Sequence, residues 1–156
     1  MQKELVDIVG EVKHLILRFE TAIKNKNLFF VADMPAFLEI KINRIQLKQL
    51  LYNIIANICQ YTDVGGEFAI TLYEEDGLLH IIASNDVSDT SAIDFARVFD
   101  LFYIAGNNEL SSGVGMYVIK QAAESLGGSA QFAPTEQGVI LSVQFPLIKA
   151  GDSDEA

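Results

Sequence analysis

Apolar residues recur at helical spacing from Glu4 to about Lys26: Leu5, Ile8, Val9, Val12, Leu15, Ile16, Phe19 and Ile23 fall on one face. That pattern predicts an amphipathic helix, weakened but not ended by Gly10. Two short β-rich runs follow at residues 28–32 and 37–42, with Met34-Pro35 as the turn between them. The clearest helical signal comes next. Asn43 is placed to cap it, and Ile45, Leu47, Leu50, Leu51, Ile54, Ile55 and Ile58 form the stripe expected to be buried. It ends near Tyr61-Thr62, ahead of the turn Asp63-Val64-Gly65-Gly66.

Beyond that turn the period changes to two. Residues 67–74 alternate through Phe68, Ile70 and Leu72, and residues 78–84 pair with them across Glu75-Asp76-Gly77. Residues 89–103 read as a short helix with Ile93, Phe95, Val98 and Phe99 on its apolar side. A polar loop at 105–112 leads to a helix that opens at about Gly113 and runs to Leu126, where Gly127-Gly128 stops it. Strands at 129–133 and 139–145 close the chain. Helices mixed with strands joined by tight turns predict an α+β fold, a two-layer sandwich with a mixed, mainly antiparallel sheet on one layer of helices.

Composition narrows the function classes. The 156 residues suit one domain, taken as 1–148, with 149–156 as an acidic, disordered tail. Eleven Lys and Arg against 21 Asp and Glu give a net charge of −10. This disfavours a nucleic-acid backbone or direct contact with an anionic membrane, since both need a basic footprint. An anionic ligand would have to be held by backbone N–H groups or a metal ion. Cys59 is the only cysteine, so no disulfide framework or paired Cys/His zinc site is expected with only His14 and His80 to join it. No apolar run reaches the ~20 residues of a membrane span, and the polar start is not a signal peptide. The expected location is cytoplasmic, which also suits the cytosolic part of a membrane-anchored sensor.

Two constellations carry chemistry. Asn53 and Asn57 lie four apart and project from one helical face. A carboxamide oxygen is a neutral ligand suited to a hard cation such as Mg²⁺ that also touches phosphate, although two surface asparagines would read the same. Ser112-Gly113-Val114-Gly115-Met116 opens a helix, where glycines let the backbone approach a phosphate and free N–H groups point at it. The stretch fits neither a Rossmann nor a P-loop unit: it follows a polar loop instead of a strand and has no Gly-Lys-Ser/Thr.

Taken in order, the blocks resemble the ATP-binding domain of sensor histidine kinases, a Bergerat-fold ATPase. Residues 50–62, containing Asn53, Asn57 and Tyr61, resemble its N box; Val98-Phe99-Asp100-Leu101-Phe102-Tyr103 resembles its F box. Residues 112–128 resemble its second glycine box and helix, and 138–146 its closing strand. The resemblance implies ATP and Mg²⁺ as cofactors. Asn57 would hold the metal, Asn53 would line the same site, Tyr61 would lie against the nucleotide base or ribose, and Gly113, Val114 and Gly115 would form the phosphate loop beneath a lid at 105–112. It implies transfer of the ATP γ-phosphoryl to a His on a dimerisation domain of the same protein, and a response-regulator receiver as downstream partner. Related ATPases place a water-activating Glu one turn before the metal-binding Asn. Here Asn53 occupies that position and is no base, which disfavours hydrolysis and an anti-sigma-type serine kinase; an imidazole acceptor needs no base.

The resemblance also has departures. The first glycine box should read Asp-x-Gly-x-Gly, and this chain has Asn85-Asp86-Val87-Ser88-Asp89. Asn85 stands where the family's Asp accepts the adenine amino group, and Asp86 would point to the opposite face if the strand continues. Gln60 and Ile104 replace residues that are often Lys and Arg, and Ser111 replaces a glycine. These departures would suit a pseudokinase of the same fold that serves as a docking module. His14 and His80 lack the setting of a phosphoacceptor, so the acceptor is expected outside this chain.

Overall fold

The structure is a computed structural model and describes residues 2–105 and 113–152. Its elements are β1 (Glu4–Asp7), α1 (Ile8–Arg18), α2 (Glu20–Asn25), β2 (Phe29–Asp33), β3 (Glu39–Ile42), α3 (Arg44–Tyr61), β4 (Glu67–Glu75), β5 (Leu78–Asp86), α4 (Gly115–Ser125), β6 (Ser129–Pro134) and β7 (Gly138–Pro146). Five strands form the main sheet in the order β2-β4-β5-β7-β6; β1 and β3 form a separate pair. Only β2 runs parallel to its neighbour, β4. The sheet is therefore mixed and mainly antiparallel, as expected.

The period-two pattern sets the layers. Phe68, Ile70 and Leu72 of β4 and Leu79, Ile81 and Ala83 of β5 are buried, as are Val139, Leu141, Val143 and Phe145 of β7. All pack in one core with Leu47, Leu50, Leu51, Ile54 and Ile55 of α3, apart from Val139 at its margin. Burying a Leu or Ile side chain contributes about 1.5–3 kcal/mol, so this stripe is what seats α3 on the sheet. Asn43 caps α3 as expected, its side chain accepting from the Gln46 N–H at 3.0 Å. Ile45 falls outside the stripe and is 77% exposed.

Two expectations need correction. Residues 4–26 are not one helix. Residues 4–7 form β1 against β3, Asp7 caps α1 by accepting from Val9 N–H at 3.2 Å, and the helix breaks at Phe19 before α2. The β-rich runs at 28–32 and 37–42 give strands of different sheets, β2 joining the main sheet and β3 joining β1. Residues 89–103 contain no helix. Successive three-residue turns close there, with Ile93 on Thr90, Arg97 on Asp94, Asp100 on Arg97 and Tyr103 on Asp100. The Asp89 and Asp94 side chains take nearby N–H groups (Ser91 and Ala96), a local bonding that competes with helix. The loop expected at 105–112 lies outside the described residues except for Ala105, as do tail residues 153–156. Lys149 pairs with Glu74, and its N–H donates to Asp152.

Candidate functional site

A cavity of about 420 Å³ opens between α3, the N-terminus of α4 and the ends of β5 and β7. Asn57, Tyr61, Asn85, Gly113 and Gly115 all line it. The residues are far apart in sequence, and the fold brings them together. Asn53, Asn57 and Tyr61 stand at successive four-residue steps on one face of α3. α4 packs antiparallel to α3: Gln46 bonds Ser125 at one end, and Asn57 meets Met116 at the other. The size falls within the roughly 300–1,000 Å³ range of ligand pockets.

Each polar group has a definable state. The Asn57 amide nitrogen donates one N–H to Met116 Sδ at 3.1 Å, which leaves its second N–H and its carboxamide oxygen for other partners. Asn53 does not line the cavity. Its amide nitrogen donates to Gln49 O within α3 at 2.7 Å, and its oxygen lies 3.6 Å from where a side chain on Gly115 would begin. Val114 is the α4 N-cap residue, and its side chain makes no capping bond. Val114 itself thus satisfies none of the first-turn N–H groups of α4 through its side chain.

Gly113 has φ +71°, and an added Cβ would sit 2.7 Å from Phe102 Cα, so no other residue fits.

β5 continues through Asp86, and this settles the register. Asn85 follows Leu79, Ile81 and Ala83 on the helix-facing side, whereas the Asp86 carboxylate turns away and accepts from Glu67 N–H at 2.9 Å. Val87 and Asp89 line the cavity without filling it. Their backbone is pinned, with Val87 N–H on Gln137 O at 3.0 Å and Ser88 N–H on Asp63 at 2.6 Å. Ser91 donates its N–H and hydroxyl to Asp89, holding that carboxyl below its ordinary range.

Pattern reading of single residues missed Tyr103 and the apolar floor. Tyr103 lines the cavity with the Arg97 guanidinium 5.4 Å from its ring centre, and Ile93, Val98 and Val139 complete the wall. The alternation of β7 was the available signal for Val139. Among the described residues lining the cavity there is no Lys or Arg. Gln60 is not among them, and its amide nitrogen is buried without a partner among the described residues. Burial pushes the Cys59 thiol up to about 11, which fits the inert core role expected for it.

The donor set fits a magnesium nucleotide. Among the described residues no cluster of three or more His, Cys, Asp or Glu is placed to hold a metal. Mg²⁺ is commonly bound through substrate phosphates, waters and very few protein oxygens, and Asn57 offers one such oxygen.

Comparison with known proteins agrees with this geometry. Residues 42–149 match the family described as histidine kinase-, DNA gyrase B-, and HSP90-like ATPase. The chain is 31% identical over 128 residues to the heme sensor protein HssS of Staphylococcus aureus, covering 82% of this chain and 28% of HssS. It thus spans about a quarter of the length of the curated relatives it matches. The nucleotide-free catalytic domain of histidine kinase ThkA superposes with a TM-score of 0.81 at 19% identity, over 96% of this chain and 99% of that one. Full-length ShkA in complex with AMPPNP superposes equally well, at TM-score 0.81 and 19% identity, over 96% of this chain and 32% of ShkA. No helix among the described residues is long and apolar enough to cross a membrane. The chain belongs to the histidine kinase-, DNA gyrase B-, and HSP90-like ATPase family.

Proposed function

We propose that this cavity binds Mg-ATP and that the chain presents its γ-phosphoryl to a His on a dimerisation domain of the same protein, from which a response-regulator receiver takes it. The observation that carries the reading is the convergence of Asn57, Gly113 and Gly115 on one cavity that also holds Asn85 and Tyr61. Mg²⁺, when bound, neutralises phosphate charge and orients the transferred group. Asn57 would hold that ion through its carboxamide oxygen. Gly113, Val114 and Gly115 would present backbone N–H groups, reinforced by the helix dipole, to the phosphates. Tyr61 would cover the base or ribose, and Asn85 would meet the base edge.

Phosphoryl transfer of this kind asks the protein for position and charge stabilisation more than for acid–base chemistry. Asn53 agrees with that, since a carboxamide bonded to Gln49 takes no proton from water. Without a Lys or Arg on the described lining, the phosphate charge would be met by the metal and the backbone amides.

Calorimetric titration of the chain tests the reading. Mg-ATP is expected to bind in the micromolar range, with binding lost on magnesium chelation and in Asn57→Ala. No heat at millimolar nucleotide would contradict it and leave a docking module of the same fold.

A further inference from the structure

Asn85 departs from its family in a way that bears on which base the cavity reads. Its side chain lines the cavity at the end of β5 and makes no hydrogen bond to any described residue. A carboxylate at this position can only accept, so it pairs with the exocyclic amino group of adenine and repels the O6 of guanine. A carboxamide carries an acceptor and two donors on one plane. Turned one way, it accepts from adenine N6 and donates to N1. Turned the other way, it donates to guanine O6 and accepts from N1–H. Among the described residues no partner favours either orientation.

A second group lining the cavity adds an acceptor that guanine alone can use. Asp89 lines the cavity where the family has a glycine, and one of its carboxylate oxygens takes both Ser91 donors at 2.9 and 2.6 Å. The other oxygen bonds to no described residue. Guanine carries a 2-amino donor that such an acceptor can use, and adenine has only C2–H there.

We infer that this cavity is a purine-nucleotide site that does not distinguish guanine from adenine, Asn85 being the residue that removes the discrimination. The inference rests on the nucleotide reading proposed above. In calorimetric titrations of the chain with Mg-ATP and Mg-GTP, the two dissociation constants are expected to agree within about fivefold. Asn85→Asp is expected to create a preference for ATP of about tenfold or more, mainly by weakening GTP, and Asp89→Gly to weaken GTP alone. Should either variant fail to fold, the ratio for the unaltered chain decides by itself. ATP binding more than about tenfold tighter than GTP overturns the inference and leaves the nucleotide site standing. Binding of neither nucleotide at millimolar concentration overturns the nucleotide reading, and the inference with it.

Discussion

The Phe102 N–H donates to the Gly113 carbonyl at 2.8 Å, and both residues hold left-handed backbone, with φ of 67° and 71°. This contact joins the segment after the three-residue turns to the start of α4, on the rim of the cavity. A left-handed non-glycine residue costs roughly 1–2 kcal/mol, and a methyl on Gly113 would also overlap the Phe102 backbone. Gly113→Ala is expected to weaken nucleotide binding about tenfold or more with far-UV circular dichroism unchanged. Unaltered affinity would show that Gly113 does not shape the phosphate loop.

Gly138 has the same kind of role in the sheet. A Cβ there would lie 2.1 Å from Asn85 O and 2.5 Å from Val87 N. Since Gly138 pairs with Asp86, any relief must part β5 from β7 beside Asn85. Gly138→Ala is expected to lower unfolding free energy by at least ~1–3 kcal/mol in urea titration. A loss below about 0.5 kcal/mol would mean that the strands absorb the methyl freely.

Lys26 closes the C-terminus of α3. Its ammonium donates to Cys59 O at 3.0 Å and Gln60 O at 2.9 Å, carbonyls left open at the helix end. Lys26→Met keeps the stem and removes the charge, and is expected to cost about 1–2 kcal/mol by denaturant unfolding. An unchanged midpoint would make the contact incidental.

Cys59 gives stability a pH dependence. The folded thiol titrates at about 11, above its ordinary 9.0, because burial penalises the thiolate. The unfolded chain therefore releases this proton first as pH rises. The associated stability is fully present below pH 9 and declines from there towards about 11. Unfolding midpoints measured across that range should fall more steeply for the unaltered chain than for Cys59→Ala; equal slopes would show that the thiol does not contribute.

How much of this was legible in sequence depends on where tertiary contacts act. α3 and its Asn43 cap were readable because stripe and cap agree locally. β4 and β5 were readable because alternation and a tight turn set their pairing, and β7 because of its alternation. β1 was hidden because Leu5, Val6 and Ile8 also suit a helix; what decides is pairing with β3, some 35 residues away. The helix expected at 89–103 failed because apolar spacing ignores the Asp89 and Asp94 side chains, which bond locally and favour turns. In the site, motif order located Asn57, Tyr61, Asn85, Gly113 and Gly115, all of which line the cavity. The family resemblance implied that Asn53 would line the same site, but neither it nor the four-residue spacing could show that its amide turns back to Gln49. That the cavity persists beside Val87 and Asp89 depends on packing that no spacing records.

Two-dimensional amide NMR of the chain with Mg-AMPPNP tests the central claim most directly. The account predicts saturable, magnesium-dependent shifts concentrated at Asn57, Tyr61, Asn85 and Gly113–Gly115, with the exposed sheet residues Val31 and Tyr73 unmoved. Shifts that avoid those positions, or none at millimolar nucleotide, would contradict it.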